Sequence, residues 1–335
     1  MDDIIDKKIK SSAYDFLRQN EILKDHIIYL VASGSYGYGT NVGTSDIDLR
    51  GVVVESKKHI LGLDNFEQFE DRETDTVIYG LKKFINLCLS ANPNTLELLG
   101  VNDNSIIAIS DGGRLLRENE SLFLSQRVVQ SFGNYAMAQL RRLKNALARD
   151  DYPQKEKEQH ILNTLSNQME HFQRVYSKFE DGSISLYLDR SEKPDFDEEI
   201  YMDINLKHYP LRDFTNIYSE MTNVVRTYSK LNHRNRKKDM PHLLKHAMHL
   251  IRLLMTGRDI LQGKGIITYR KEEQSFLLDI RKGKYKFEEI FEFVNRYENE
   301  FEQAAKSTNL PVIPDTKKVE EIMYEIYSKY YTSIN

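Results

Sequence analysis

The stretch VASGSYGYGTNVGTSDIDLRGVVVE, residues 31–55, decides the fold of the N-terminal part of the chain. The apolar run at residues 26–32 ends in Ser33-Gly34, which is typical of a buried strand followed by a tight turn. A glycine-rich loop follows. Residues 46–55 then alternate at first and become rich in valine, which predicts a second strand. The sequence therefore predicts two strands joined by a glycine-rich loop.

Further strands and helices are mixed on either side of this stretch. The apolar spacing predicts four more elements, which are helices over 3–19 and 80–91 and strands over 75–79 and 105–109. Asn92-Pro93 predicts the end of the second of these helices. We therefore expect residues 1–115 to form an α/β (α+β) domain with a short mixed sheet.

The remainder of the chain, residues 116–335, has a different pattern. Apolar residues recur at helical spacing in most of it, which predicts a mainly α-helical domain. The predicted helices cover residues 125–147, 154–180, 210–231, 240–261, 271–282, 286–304 and 317–331. Residues 183–206 interrupt them with two short strand-like runs, which indicate a small β insertion.

Composition excludes several classes of protein. A length of 335 residues favours two domains, and 40% hydrophobic with 29% charged residues argues against wholesale disorder. The single cysteine, Cys88, allows neither an intramolecular disulfide nor a cysteine-based zinc site. The first ten residues lack the apolar core of a signal peptide, and no apolar run approaches the ~20 residues of a membrane span. We therefore expect a cytoplasmic protein with no membrane partner.

Two aspartates mark the start of the second strand. Because residues i and i+2 of a strand point to the same side, Asp46 and Asp48 are expected to place two carboxylates on one face, roughly 6–7 Å apart at their backbones. Ile47 points the other way, into the core. Two hard carboxylates so placed suit Mg²⁺, or Mn²⁺, which takes oxygen ligands and leaves room for substrate phosphates.

The turn after the first strand suits a phosphate group. Gly34 allows the backbone an unusual φ and a close approach to a ligand. Ser35 offers a hydroxyl and an N–H near the expected start of a helix, which favours an anion. Gly34 and Ser35, together with Ser45 beside the aspartates, are therefore candidate nucleotide-binding residues. With a cation at the aspartates, the arrangement indicates metal-assisted attack on a nucleoside triphosphate.

The spacing of this motif resembles the signature of DNA-polymerase-beta-like nucleotidyltransferases. Gly34-Ser35 is followed after ten residues by Asp46-Ile47-Asp48-Leu49. Residues 78–100, 242–261 and 267–270 also resemble a subgroup of predicted nucleotidyltransferases, found in bacteria and large phages and named for an RNA-repair pathway. The resemblance implies transfer of a nucleoside monophosphate from an NTP, in a host cytoplasm if a phage encodes the chain.

In that superfamily a third carboxylate comes from a later strand. Asp75, which opens the run DTVIY, matches it best, and Glu70 and Glu73 are nearby competitors. The resemblance then implies that Asp46, Asp48 and Asp75 are catalytic residues that hold two metal ions.

A second cluster lies on the predicted helix over 240–261. His242, Lys245, His249 and Arg252 are spaced so that they share one stripe of the helix. Cations in register can hold a triphosphate, and in this superfamily a helical domain commonly completes the nucleotide pocket. Lys245, His249 and Arg252 are therefore candidate nucleotide-binding residues. The alternative is a solvated basic helix face.

The net charge of −4 is unevenly distributed. Residues 226–286 contain 16 Lys or Arg and 5 Asp or Glu, a charge of +11, which leaves −15 for the rest of the chain. A basic region with interleaved tyrosines suits an RNA backbone. With the resemblance, it favours an RNA 3′ end, such as that of a tRNA-like molecule, as the acceptor. The alternative is an internal counterweight to the acidic remainder.

Two other functions remain open at this point. One is transfer of a nucleotide to a protein or a small molecule, as other relatives in the superfamily do. The other is a non-catalytic RNA-binding protein, against which the intact pair of Asp46 and Asp48 argues.

Overall fold

The structure is a computed structural model of the 335-residue chain. The structure describes residues 3–43, 45–150, 159, 161–163, 165, 184–192, 198–208, 210–235 and 240–334.

A five-stranded mixed sheet forms the centre of the N-terminal part. Its strands are β1 Ile27–Ser33, β2 Asp48–Val53, β3 Gln68–Asp71, β4 Thr76–Gly80 and β5 Ile106–Ile109, in the order β3-β4-β2-β1-β5. β2 pairs antiparallel with β1 and parallel with β4, and the two outer pairs are antiparallel. The α/β class and the short mixed sheet expected from the sequence are thus confirmed.

Helices make up most of the remainder, which confirms a mainly helical C-terminal region. The helices are α1 Asp3–Ile9, α2 Phe16–Gln19, α3 Gly34–Gly37, α4 Lys57–Leu61, α5 Leu81–Leu89, α6 Pro93–Leu99, α7 Asp111–Glu118, α8 Arg127–Asp150, α9 Phe214–Asn235, α10 Met240–Leu261, α11 Gln274–Arg281, α12 Phe287–Ser307 and α13 Thr316–Ile334. Of the helix predicted over 154–180, the structure describes only residues 159, 161–163 and 165, which are helical.

The single helix predicted over residues 3–19 is wrong. α1 ends at Ile9, and α2 begins only at residue 16. The Ser11 hydroxyl donates to the carbonyl of Lys8 at 2.7 Å, and Arg18 donates to the carbonyl of Ile9 at 3.0 Å. These side chains bond the carbonyl groups that a continuous helix would use, so the helix stops.

Several elements of the sheet domain were not expected, among them α4 and α7 as well as β3 and α6. β3 is short and polar, with the sequence QFED, and therefore lacks an apolar signal. α6 begins at Pro93, where the sequence predicted only an ending. Asn92 caps it by accepting from the N–H of Asn94 at 3.0 Å, and a proline is tolerated at the first position of a helix because it needs no N–H bond there.

The core of the sheet domain explains why its strands sit where they do. Apolar residues of β1, β2 and β4 pack with the N-terminal helices; the buried members are Ile5, Tyr14, Leu17, Leu23, Leu30, Ala32, Ile47, Leu49, Val53 and Ile78. Ile47 is 2% exposed and points into this core, as expected. The burial fixes the start of β2 and hence the position of the carboxylate in its first residue.

The chain divides into two compact units. The first comprises Met1–Leu140 with Leu244–Asn335, and the second comprises Arg141–Leu243. The boundary predicted between residues 115 and 116 rests on a change in sequence pattern and remains a prediction.

The second unit contains the predicted β insertion. β6 Ile184–Arg190 and β7 Glu198–Ile204 form an antiparallel pair, close to the strand-like runs seen within residues 183–206. Ile184 lies in a small core with Ile161, Leu165 and Val224, so one face of the pair is buried.

Candidate active site

Parallel pairing of β2 with β4 brings two aspartates together. Leu49 lies opposite Thr76, so Asp48 begins β2 beside Asp75, which immediately precedes β4. The N–H of Leu49 donates to the carbonyl of Asp75 at 3.2 Å, and the two carboxyl groups are hydrogen-bonded to each other. Asp75 is thus the carboxylate that the fold places beside Asp48, whereas Glu70 lies in β3 and Glu73 in the turn before Asp75; the role of Asp75 as a metal ligand remains a prediction.

Gly34 lies directly against the carboxylate of Asp48. Its φ is +57°, and a Cβ built on it would lie 1.7 Å from Oδ2 of Asp48. Only glycine fits this position, because any side chain would displace the carboxylate as well as strain the backbone. The turn after β1 and the start of β2 therefore form one site. Ser35 follows in α3 and is 6% exposed, which leaves its backbone rather than a protruding side chain at the turn.

The contact between the two carboxyl groups changes their acidity. Burial first, and then the hydrogen bond and the charge of Asp75, raise the pKa of Asp48 to about 6. Burial also acts to raise the pKa of Asp75, but the hydrogen bond from Asp48 and the guanidinium of Arg50 outweigh it and lower that pKa. The pair therefore shares a proton more readily than two separate aspartates would, which is typical of like charges held together.

Asp46 does not sit in the strand as expected. β2 begins at Asp48, because Val42 and Ser45 close a turn just before it: each N–H donates to an oxygen of the other residue at 2.8 Å. Asp46 is exposed. Within the described residues no group of three His, Cys, Asp or Glu side chains is placed to hold a metal ion. Asp48 and Asp75 alone form a pair of hard oxygen ligands that suits a divalent cation, because such a cation relieves their repulsion.

The glycine-rich loop is held from α11 by an arginine that sequence reasoning missed. Arg281 donates to the carbonyl of Thr40 at 2.5 Å and to Oγ of Ser45 at 3.2 Å. Partial burial lowers the pKa of this guanidinium, and in the described part of the chain it forms no ion pair. Ser45, predicted to bind nucleotide, here receives bonds from Arg281 and the loop backbone. Gln274 also reaches the loop, donating to the carbonyl of Gly39 at 2.6 Å.

Lys245 of α10 faces the pair of carboxylates. It is exposed, and its charge acts to lower the pKa of both Asp48 and Asp75. The charge of Lys245 therefore acts on the motif of residues 31–55, and its role in nucleotide binding remains a prediction.

Arg252, two turns later on α10, is buried instead. It is 5% exposed, and its Nη1 lies 2.7 Å from Oε1 of Glu97. The guanidinium also stacks 3.5 Å from the ring centre of Tyr38, whose hydroxyl donates to the other oxygen of Glu97 at 2.6 Å. Arg252 therefore anchors Tyr38, a residue of the glycine-rich loop, from within the core.

His249 lies between these two cations on the helix. Its ring meets Tyr38 edge-on, with ring centres 6.1 Å apart. Burial, followed by the charges of Arg252 and Lys245, holds its pKa well below the usual range. His249 is therefore neutral near pH 7. His242, at the exposed start of the helix, falls in the second compact unit.

Some arginines of the basic segment 226–286 form ion pairs inside the first unit. Arg258 pairs with Glu300 at 2.5 Å and with Asp259 at 2.9 Å, and buried Arg270 pairs with Asp259 at 2.6 Å. These arginines act as internal counterions. The exposed cations of the segment in this unit are Lys245, Lys264, Lys271, Lys282, Lys284 and Lys286.

In the part of the chain that the structure describes, no helix is both long enough and apolar enough to cross a membrane.

Comparison with known proteins identifies the family. The model of the RNA repair pathway DNA polymerase beta family, RlaP, matches residues 5–178, just over half of the chain. The match includes Gly34, Asp48 and Asp75, whereas Lys245 and Arg281 lie beyond it. No curated protein and no solved structure matches the chain. The chain therefore belongs to the RNA repair pathway DNA polymerase beta family, whose name indicates a polymerase-beta-like nucleotidyltransferase.

Proposed function

We propose that the protein transfers a nucleoside monophosphate from an NTP to the 3′ hydroxyl of an RNA acceptor, in a reaction that requires Mg²⁺ or Mn²⁺. The observation that carries the proposal is the contact of the carboxyl groups of Asp48 and Asp75 beside Gly34. A pair of carboxylates packed against a glycine turn offers oxygen ligands for a cation, and the backbone of such a turn can approach the phosphates that the cation binds.

Asp48 and Asp75 would hold the metal, whereas Asp46 is exposed in the segment before β2 and forms no group of three ligands with them in the described residues. When bound, a divalent cation supplies neutralisation of the triphosphate charge and a lowered pKa of the acceptor hydroxyl. The carboxylates of the chain orient this charge, and the glycine at residue 34 lets the carboxylate of Asp48 lie against the turn.

Two cations of the chain are suited to the triphosphate. Lys245 faces the carboxylate pair, and Arg281 is half-buried beside the glycine-rich loop without an acidic partner in the described residues. A partly buried cation without a counterion loses solvation, and an anionic ligand compensates for that loss. Neutral His249 offers a hydrogen bond to the nucleotide rather than a charge.

In the proposed transfer, the acceptor oxygen forms a bond to the α-phosphorus of the NTP. The bond from the α-phosphorus to the bridging oxygen of the β-phosphate breaks, pyrophosphate leaves, and the hydroxyl proton passes to water. The chain contributes mainly position and charge, as is usual for transfer at phosphorus.

The exposed lysines between residues 245 and 286 support an RNA acceptor. They lie in the same compact unit as Asp48. Lys264 and Lys284 approach acidic residues, whereas Lys245, Lys271, Lys282 and Lys286 form no ion pair within the described residues. Lysines at a surface bind a phosphate backbone without reading its sequence, which suits the recognition of an RNA end.

Incubation with each α-labelled NTP, RNA and Mg²⁺ tests the proposal. Wild type is expected to label the RNA, and Asp48→Asn or Asp75→Asn is expected to lose the activity. Asp103→Asn, with an exposed carboxylate elsewhere in the same unit, is the matched control and should retain it. Labelling that survives the loss of both Asp46 and Asp48 would refute the site. Label found on a co-purifying protein would instead identify a protein acceptor, and RNA binding without turnover of any NTP would indicate a non-catalytic role.

A further inference from the structure

Arg50 connects the carboxylate pair to the strand that carries it. It lies two residues after Asp48 in β2 and therefore on the same face of the strand. Its Nη2 lies 2.9 Å from Oδ1 of Asp75, and its Nη1 donates to the carbonyl of Asp75. Nη1 also donates to the carbonyl of Leu49 at 2.8 Å. The guanidinium is thus fixed to the strand and donates hydrogen bonds to both the backbone and the side chain of Asp75.

Asp75 needs such support more than Asp48 does. Asp48 belongs to β2, but Asp75 is the last residue of the turn between β3 and β4 and has a φ of +47°. This left-handed conformation is unfavourable for a residue with a side chain. The Asp75 side chain is 58% exposed and touches the carboxyl group of Asp48, so repulsion favours its movement into solvent when both groups are ionised.

We propose that Arg50 is the positioning residue of the site: its guanidinium holds Asp75 against Asp48 in the arrangement that a divalent cation binds. The metal-binding role of the pair rests on the proposed function. A carboxylate accepts several bonds, so the bond from Arg50 to Oδ1 leaves acceptor capacity for a cation. Arg50 also offsets the negative charge of the pair before a cation arrives.

The competing explanation is that Arg50 merely stabilises the sheet. The two explanations differ in what Arg50 acts through. A positioning residue works only through Asp75, so its removal has no further effect once Asp75 is gone. Removal of a residue that only stabilises the sheet would weaken the site to the same degree with or without Asp75.

Mn²⁺ binding to the full chain, measured by the electron paramagnetic resonance of free Mn²⁺, tests the proposal without relying on activity. The proteins are wild type, Arg50→Met, Arg50→Lys, Asp75→Ala and the double variant Arg50→Met/Asp75→Ala. Arg114→Met is the control, because the Arg114 side chain is 58% exposed and its ion pair with Asp111 is long, at 3.9 Å. Circular dichroism of each protein reports whether it folds.

We expect Arg50→Met to weaken Mn²⁺ binding by about 10–100-fold, the usual effect of removing the partner that orients a metal ligand. In the Asp75→Ala background the same change should alter affinity by less than about twofold if the two residues act as one unit. Arg114→Met should bind as wild type does.

Wild-type affinity in Arg50→Met would overturn the proposal, and so would an equal loss in the presence and absence of the Asp75 carboxylate. If Arg50→Met does not fold, Arg50→Lys decides, because an ammonium keeps the charge but loses the fork that reaches both atoms of Asp75. A folded lysine variant with wild-type affinity would also overturn the proposal.

Failure of the proposed function is a separate result. If the expected pattern of Mn²⁺ binding is found but wild type transfers no nucleotide, the role of Arg50 stands and the reaction is wrong. If wild type transfers nucleotides but removal of Arg50 leaves Mn²⁺ affinity unchanged, the reaction stands and the role of Arg50 is wrong. A wild-type chain that binds no Mn²⁺ overturns both.

Discussion

Substitution of Arg252 by methionine should destabilise the protein much more than the same change at Lys245. Both residues lie on α10 and share one stripe of the helix, and both are candidate nucleotide ligands from sequence. The structure gives them opposite environments. Arg252 forms a buried ion pair with Glu97, whose side chains are 6% and 4% exposed, while Lys245 is exposed.

The expected magnitude follows from that burial. Removal of one partner of a buried ion pair leaves an uncompensated charge and costs about 3–5 kcal/mol. Loss of the stacking on Tyr38, 3.5 Å from the guanidinium, adds to the cost. Lys245→Met removes an exposed charge, and the free energy of unfolding should change by no more than about 0.5 kcal/mol.

Urea denaturation followed by circular dichroism measures the two stabilities, and titration with a fluorescent NTP analogue measures nucleotide binding. Lys245→Met should weaken nucleotide binding without loss of stability. The double variant Arg252→Met/Glu97→Gln removes both charges and should be more stable than the sum of its single variants by at least about 1 kcal/mol.

The opposite pattern would refute this reasoning. If Arg252→Met unfolds at the wild-type urea concentration but binds nucleotide poorly, Arg252 is a phosphate ligand as the sequence predicted. If Glu97→Gln adds to Arg252→Met without any coupling, the buried pair is not the source of the effect.

Three further outcomes are expected at the same site. Gly34→Ala should abolish nucleotide transfer, because its Cβ would displace the neighbouring carboxylate; Gly43→Ala, with no atom within 4 Å of the new Cβ, is the control and should stay active. Arg281→Met should weaken NTP binding by about tenfold or more, as expected for a lost charge-assisted bond, whereas Lys284→Met, which removes an exposed and already paired lysine, should not, as equilibrium titration would reveal. The imidazole of His249 should remain neutral through pH 6.5 in an NMR titration; since its folded pKa lies below the unfolded value, its contribution to stability is present above about pH 6.5 and declines as the pH falls. A shift of its ring signals near pH 6.5 would contradict that placement.

The sequence predicted the sheet and the helices where apolar periodicity was long and strong. β1, β2, β4 and β5 lie within or next to the predicted strands, and α10 spans Met240–Leu261, the range predicted for it. Sequence periodicity did not predict β3, because this strand is short and polar and pairs only because the neighbouring strand is buried. It also failed at α6, where a proline that cannot continue one helix begins the next.

The site was predictable in the part that depends on local spacing. The meeting of Gly34 and Asp48 follows from the motif, whereas Asp75 was expected from the resemblance to the nucleotidyltransferases, with Glu70 and Glu73 as competitors. The partners of Arg252 and Arg281 do not, since Glu97 and Thr40 are 155 and 241 residues away in the chain. Helical periodicity shows which residues share a stripe, but the tertiary fold decides whether that stripe meets a carboxylate, a backbone carbonyl or solvent.

The most direct test of the account is a crystal structure of the protein soaked with Mn²⁺ and a non-hydrolysable NTP analogue, read from the anomalous signal of the metal. We predict a manganese peak bound by Asp48 and Asp75, with the triphosphate beside Gly34 and within reach of Lys245. A manganese peak away from these carboxylates, or a triphosphate bound elsewhere in the chain, would contradict it.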